Sequence, residues 1–281
     1  MITIKLKGGL GNQMFQYAIG RRLSLKHGVP LELDLSYYAG SDKSRWCSGS
    51  RYELDCFNIM ERKYDTRMLL AKLGCFLNKP KIFQEKNRSF DSSVLDAPRN
   101  SYLVGYWQCE KYFKDVEAVI RQDFTFKDLP NKKNAAVLEE ISNSNSVSIH
   151  LRRGDYVCEK SNNRLFGVPS LENYYYPAIK LISKKTSGLH FFVFSDDPVW
   201  GKENLELGHP ATFVDHNPPD KGFEDMRLMS TCKHHILANS SFSWWGAWLN
   251  PNPQKIVIAP SEWFVSDPEQ NKIILQSWIR I

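Results

Sequence analysis

The chain has 281 residues, 42% hydrophobic and 24% charged, with a formal net charge of +6. That is the make-up of an ordinary globular protein, long enough for two domains that share a cleft. It excludes a membrane-spanning helix, since no apolar run approaches the needed length. It also excludes a zinc finger, since none of the six cysteines has Cys-x-x-Cys spacing.

MITIKLKGGL reads as a short strand rather than a secretory signal, because it has no long apolar core. Free thiols in a reducing compartment are the simplest account of the cysteines, so a cytoplasmic location is expected. The 8 Trp, 12 Tyr and 16 Phe suit sugar faces and nucleobases as well as a core. The charge is uneven: residues 41–90 hold eleven Lys/Arg against six Asp/Glu. Such a segment suits anionic lipid headgroups or nucleic acid, or is simply a solvated face.

In chain order, Ile2, Ile4 and Leu6 alternate and predict a strand. The loop Gly8–Asn12 leads to a helix over Gln13–Lys26, carried by Met14, Tyr17, Ala18, Arg21 and Leu25 and stopped by Gly28-Val29-Pro30. A second strand, Leu31–Leu35, completes a parallel α/β unit. The loop is not a dinucleotide fingerprint, because Met14 stands where a third small residue belongs. Gly9 and Gly11 still admit a ligand close to the backbone, and a helix N-terminus favours an anion or a hydroxyl oxygen. Asn12 and Gln13 add amides suited to sugar hydroxyls. A tight turn with nothing bound explains the loop equally well.

Residues 41–100 read as a basic insertion, helical over Asn58–Leu77 and broken at Pro80. It forms part of an acceptor cleft or rests on a membrane. Tyr102–Tyr106 reads as a strand and Glu110–Arg121 as a helix. Around a short helix, Ala135–Ile141, the sequence turns rich in Asn, Lys and Ser. That shift divides the chain into domains 1–141 and 142–281.

The second domain alternates more cleanly. Strands are expected over Ser146–Leu151, His190–Phe194, Ala211–Val214, His235–Ala238 and Lys255–Ala259. Helices are expected over Leu171–Lys184, Phe223–Cys232 and Phe242–Leu249. The expected class is α/β, with two Rossmann-like domains facing a cleft.

Three strand ends carry polar clusters, and in a parallel sheet all three lie along one edge. The first is Arg152-Arg153-Gly154-Asp155, after the strand that contains His150. Alternation puts His150 and Arg152 on one face and Arg153 on the other. A guanidinium is the side chain best matched to phosphate, through its planar fork. A surface Arg–Asp pair is the plainer reading. The second cluster is Asp196-Asp197. One aspartate suits guanine's N–H and amino group and the other an N-cap, with the assignment open. No Asp-x-Asp occurs in the chain, so a metal site is not expected. The third is Asn239-Ser240-Ser241-Phe242-Ser243, an anion cradle at a helix start, capped by Ser241. Trp244 and Trp248 share a core face of the following helix; Trp245 has no assigned place.

GGLGNQMFQYA, HLRRGDYV and ANSSFSWWGAWL, in that order, closely resemble the bacterial α-1,2-fucosyltransferases of glycosyltransferase family 11. The resemblance implies a GT-B-type fold and inverting transfer of L-fucose from GDP-β-L-fucose to the 2-hydroxyl of a terminal galactose. It implies no metal or other cofactor, GDP-fucose being a substrate. The second partner is a galactose-terminated, O-antigen-like or lipid-linked oligosaccharide, with peripheral contact at the inner membrane face and no nucleic acid. Another GDP-sugar such as GDP-mannose, or glycan binding without catalysis, is the alternative.

On this resemblance Arg152 holds the pyrophosphate, and His150, Arg153 and Asp155 shape the site. Asp196 or Asp197 meets guanine, Ser240 to Ser243 cover the phosphates with Asn239 also binding the donor, and Gly9, Gly11, Asn12 and Gln13 face the fucose or the acceptor. Asp155 is the favoured catalytic base. Related enzymes carry a glutamate where Lys160 stands here, with Glu159 one residue away.

Overall fold

The computed structural model describes residues 1–39, 51–60, 62–64, 79–154, 167–264 and 272–281. The chain divides into two compact units, Met1–Asp128 and Leu129–Ile281.

In the first unit, β1 (Ile2–Lys5) is followed by α1 (Leu10–His27) and β2 (Leu31–Asp34). Three further strands are β3 (Arg62–Tyr64), β4 (Lys81–Gln84) and β5 (Ser101–Val104), and the helix α2 (Glu117–Asp123) follows. The five strands pair in the order β3-β2-β1-β5-β4, all parallel. The loops after the strands therefore emerge along one edge.

α1 buries Met14, Phe15, Tyr17, Ala18, Ile19 and Leu23, and even its glutamines Gln13 and Gln16 are fully enclosed. A helix buried this completely must satisfy its polar side chains internally. Tyr17 donates its hydroxyl to Asp123 Oδ2 at 2.6 Å and accepts the Met60 N–H at 3.0 Å. Arg21 Nε lies 2.8 Å from the same aspartate oxygen. The segment 51–60 is tied down further by an isolated antiparallel bridge between Phe57 and Phe126.

The second unit holds α3 (Lys132–Ser142), β6 (Asn145–Leu151), α4 (Tyr176–Lys185), β7 (Leu189–Ser195), α5 (Pro198–Asn204) and β8 (Ala211–Val214). It continues through α6 (Gly222–Thr231), β9 (His234–Ile236), α7 (Ser241–Leu249), β10 (Val257–Ala259) and β11 (Ile279–Arg280). Its strand order is β11-β10-β9-β6-β7-β8, again all parallel. Alternation along β7 sends Phe191 and Val193 into one core layer with α4, and Phe192 and Phe194 into another with α6.

Several expectations need correction. Ile141 of α3 packs with Phe192, Phe194 and Leu228, so this helix belongs to the second unit and the boundary lies at Asp128/Leu129, not at 141/142. The helix expected over Asn58–Leu77 lies largely outside the described residues, and within its span Arg62–Tyr64 is a strand. Glu110–Arg121 is not one helix: two 3-10 turns precede α2. β4 and β11 lie where no strand was expected. Trp245 is as buried as Trp244 and Trp248 and meets both edge-on, at 4.9 and 5.1 Å. No helix among the described residues is long and apolar enough to cross a membrane.

Asp123→Ala strands the Arg21 charge and the Tyr17 hydroxyl in a mostly buried site. It should lower unfolding stability by about 2–4 kcal/mol in urea titrations, and Asp123→Asn by less.

Candidate functional site

The register of the second sheet assembles the polar edge. Leu151 is the Cα partner of Ser195, so the next residue on each strand, Arg152 and Asp196, emerges beside the other. Arg152 Nη1 lies 3.0 Å from Asp196 Oδ2. The other oxygen of this carboxylate accepts the Arg153 main-chain N–H at 2.9 Å. One aspartate thus fixes both the direction of a guanidinium and the start of the turn that carries it. A Cβ at Gly154 would stand 2.6 Å from Asp196 Oδ2, so any larger residue there displaces that carboxylate.

Arg153 leaves on the opposite face, as alternation demands. Its guanidinium lies over the Trp200 ring of α5, 3.6 Å from the centroid, with Nε 3.7 Å from Asp197 Oδ2. Cation–π contact and the nearby carboxylate give it a packing role beneath the turn. Asp197 is the N-cap of α5, accepting the Trp200 N–H at 3.2 Å, and Pro198 opens that helix. The cap therefore falls to Asp197. Asp196 is engaged with the arginine turn, through Arg152 Nη1 and the Arg153 main-chain N–H.

His150 is buried on β6, and its ring centre lies 5.6 Å from that of Phe242. Burial pushes its imidazole down to about 4, with Arg152 acting in the same direction and Asp196 opposing. It is neutral at physiological pH, so it offers the site a shape and a hydrogen-bonding nitrogen rather than a charge. Among the described residues its Nδ1 has no hydrogen-bond partner.

Beyond β9 the cluster divides in two. Ser240, not Ser241, caps α7 by accepting the Phe242 N–H at 3.3 Å. Ser243 is fully enclosed, with its hydroxyl 3.1 Å from the carbonyls of both Ala238 and Ser240. It closes the turn and does not face a ligand. Asn239 is buried, its amide reaching toward the carbonyls of Gly167 and Trp263. Ser241 and Phe242 remain partly open at the helix N-terminus. Asp155 and Glu159 lie outside the described residues.

The first unit has its own polar edge. α1 begins at Leu10, so Gly11 and Asn12, expected in the loop, belong with Gln13 to its first turn. The conformational demand falls on Gly8, with φ +77 and only 2.6 Å between a Cβ and Asn12 Nδ2. Gly9 and Asn12 stay partly open, while Gly11 is buried. Gln13 does not face a ligand. Its Nε2 donates to the carbonyls of Gly8 at 2.9 Å and Arg51 at 2.8 Å, and its Oε1 accepts the Glu53 N–H at 2.9 Å.

Residues missed in the sequence complete this edge. Gln16 bonds the main chain of Lys7 and the carbonyl of Gly105, and Gln108 donates to Asn12 Oδ1 at 2.6 Å. Glu85 accepts the N–H groups of Tyr106 and Trp107, at 2.7 and 3.1 Å. Gln16 follows Gln13 by one helical turn, a spacing that signals a shared face. Gln108 and Glu85 carry no such signal.

Similarity to known proteins agrees with this architecture. The NodZ α-1,6-fucosyltransferase, in a crystal structure soaked with GDP-fucose, matches with a TM-score of 0.54 at 14% identity, over 89% of this chain and 92% of that one. The fold is the α/β GT-B type of glycosyltransferases. The model of Glycosyl transferase family 11 matches residues 71–281. An α-1,2-colitosyltransferase of Escherichia coli is 35% identical over 100% of this chain and 99% of its own. The O-antigen biosynthesis glycosyltransferase WbnK of Escherichia coli is 33% identical over 98% and 99%. The chain belongs to glycosyltransferase family 11.

Gly154→Ala pushes the Asp196 carboxylate away from the arginine turn. A crystal structure of the variant should show the Arg152–Asp196 pair opened beyond its 3.0 Å separation, with only a small loss of thermal stability.

Proposed function

We propose that this chain transfers L-fucose from GDP-β-L-fucose to the 2-hydroxyl of a terminal galactose, with inversion, to give an α-1,2-fucoside. The observation that carries the reading is the Arg152 guanidinium, aimed from a strand end by Asp196 at the edge where α/β sheets take ligands. Membership of the family supplies the reaction type. In the displacement, the galactose oxygen bonds to the anomeric carbon and gives up its proton, which leaves to solvent, and the bond to the diphosphate oxygen breaks. The electron pair leaves with GDP. Arg152 stabilises the charge that grows on that oxygen, in the place a divalent metal takes in other transferases, so no metal is required. The partly open residues Ser241 and Phe242, at the N-terminus of α7, suit a second phosphate contact. The acceptor is an O-antigen-like oligosaccharide, in line with the similarity to WbnK. If it is lipid-linked, the enzyme works against the cytoplasmic face of the membrane.

One observation favours a second donor. The 35% identical relative bears the name of a colitosyltransferase, and colitose is L-fucose without its 3-hydroxyl. The two donors share every group that Arg152 would meet.

The test is transfer from GDP-fucose and from GDP-colitose to lactose and to a β1,3-galactoside, with EDTA present, followed by linkage analysis. The expected product is an α-1,2-fucoside formed at the same rate with and without EDTA. Colitoside alone would move the reading to the second donor, and inhibition by EDTA would remove the metal-free step. Arg152→Ala should lower kcat about 100- to 1,000-fold or more in a folded protein. Normal turnover by that variant would refute the phosphate assignment.

A further inference from the structure

We propose that the second unit carries a binding site for a neutral oligosaccharide at the N-terminal edge of its sheet, opposite the edge that holds Arg152 and Asp196. The site is built wholly within this unit and does not depend on which sugar the donor carries.

A cavity opens where the strands of this sheet begin. Asn145 is the first residue of β6, His234 is the first of β9, and Ile256 precedes β10; all three line it. Its volume is ≈ 840 Å³. Small-molecule sites usually measure about 300–1,000 Å³. The end of α6, the residue after α4 and the loop from Asn250 supply the remaining walls.

A buried chain of hydrogen bonds fixes these walls from beneath. The Asn250 amide donates to His235 Nε2 at 2.8 Å and to the Cys232 carbonyl at 2.7 Å. With Nε2 accepting, the His235 proton sits on Nδ1, 2.8 Å from Ser148 Oγ. Ser148 and His235 are fully enclosed, and Asn250 is buried beside them. Asn250 Oδ1 accepts the Asn252 N–H at 2.8 Å, and Asn252 Oδ1 accepts the Gln254 N–H at 2.9 Å. The rim is therefore ordered before a ligand arrives, which lowers the entropy cost of binding.

His234 is the residue that points to a ligand. It is 8% exposed, yet only one of its ring nitrogens is engaged by the protein. Nδ1 accepts the Ile256 N–H at 3.0 Å, so the neutral ring carries its proton on Nε2. Among the described residues that N–H has no partner, and the ring lines the cavity. A buried donor is costly unless something accepts from it. Burial and the neighbouring Lys233 lower the His234 pKa, so the donor is uncharged.

The acceptors stand on the same walls. Asn145 commits its Nδ2 to Thr186 Oγ1 and to the Ser187 carbonyl, both at 2.9 Å, which leaves Oδ1. Ser230 and Thr231 donate their hydroxyls to main-chain carbonyls of α6, so their oxygens keep lone pairs for a ligand. Exposed Lys233 is the one charged residue on the lining, and no carboxylate lines the cavity. A metal ion would require carboxylates, and a diphosphate would require more than one cation. Uncharged donors and acceptors side by side match sugar hydroxyls, and Pro251 and Ile256 offer apolar surface to the C–H face of a ring.

The test is a titration with lacto-N-tetraose, a neutral tetrasaccharide, followed by heteronuclear NMR of the full chain. The His234 imidazole signal and the amide signals of Thr231, Asn252 and Gln254 should shift saturably, with half-saturation in the millimolar range. Inorganic phosphate at the same concentration should leave them in place. The double variant Thr231→Val with Gln254→Leu alters only exposed side chains outside the buried chain of bonds. It should bind the sugar at least about tenfold more weakly with its melting temperature unchanged. His234→Phe should remove the remaining shifts; it also breaks the tie to Ile256, so the double variant decides the matter if it folds poorly. No shift at about 20 mM sugar overturns the proposal. So do shifts confined to the Arg152 edge, shifts caused by phosphate alone, or a folded double variant that binds like the wild type. Turnover is not the readout, so failure of the transfer reading would leave this result standing.

Discussion

The Asp196 carboxylate serves two groups at once, the Arg152 guanidinium and the Arg153 main-chain N–H. Each demand comes from the register of a parallel sheet, which ends β6 and β7 level at Leu151 and Ser195. Around this contact the neighbouring residues have few alternatives. Gly154 is bare because the carboxylate lies against it. Arg153 is turned away onto Trp200, and Asp197 starts the helix that carries that ring. A guanidinium on a free surface loses side-chain entropy whenever it meets an anion; one already aimed by a carboxylate loses less. The chemistry assigned to this edge depends on that preorganisation.

The first unit solves a related problem with amides in place of charges. α1 is buried nearly all round, so its polar side chains need partners inside the protein. Gln13 and Gln16 find them in the turns after β1 and β5 and in segment 51–60, while Tyr17 and Arg21 converge on Asp123. The helix that forms the core therefore also places the turns at the sheet edge. The main chain of segment 51–53 is held there by an anchor that is itself core.

The strands with strict alternation or a continuous apolar run were legible: β1, β2, β6, β7 and β8 stand within a residue or two of expectation. β4 was not, because an edge strand with Ile82 largely exposed shows neither pattern. The stretch from Glu110 has a helix's composition, but Phe113 and Tyr112 are buried across successive 3-10 turns. Composition places α3 in the wrong unit, since it marks where a linker resembles a loop and not which core a helix joins. Within the site, the strand-end position of the arginines was readable from residue types. Their bond to Asp196 was not, because it depends on the register between two strands. Gln13 and Ser243 looked like ligand contacts because amides and hydroxyls are chemically suited to sugars and phosphates; burial turned both toward the main chain.

The proposed diphosphate site rests on Arg152 and Asp196 acting as one unit. A double-mutant cycle on GDP affinity, by calorimetry with Arg152→Ala, Asp196→Ala and the pair, measures this. The predicted result is strong non-additivity: once Arg152 is gone, removing Asp196 changes affinity by less than about twofold. Fully additive losses in the folded double variant would mean that the two side chains act independently, and would contradict the account.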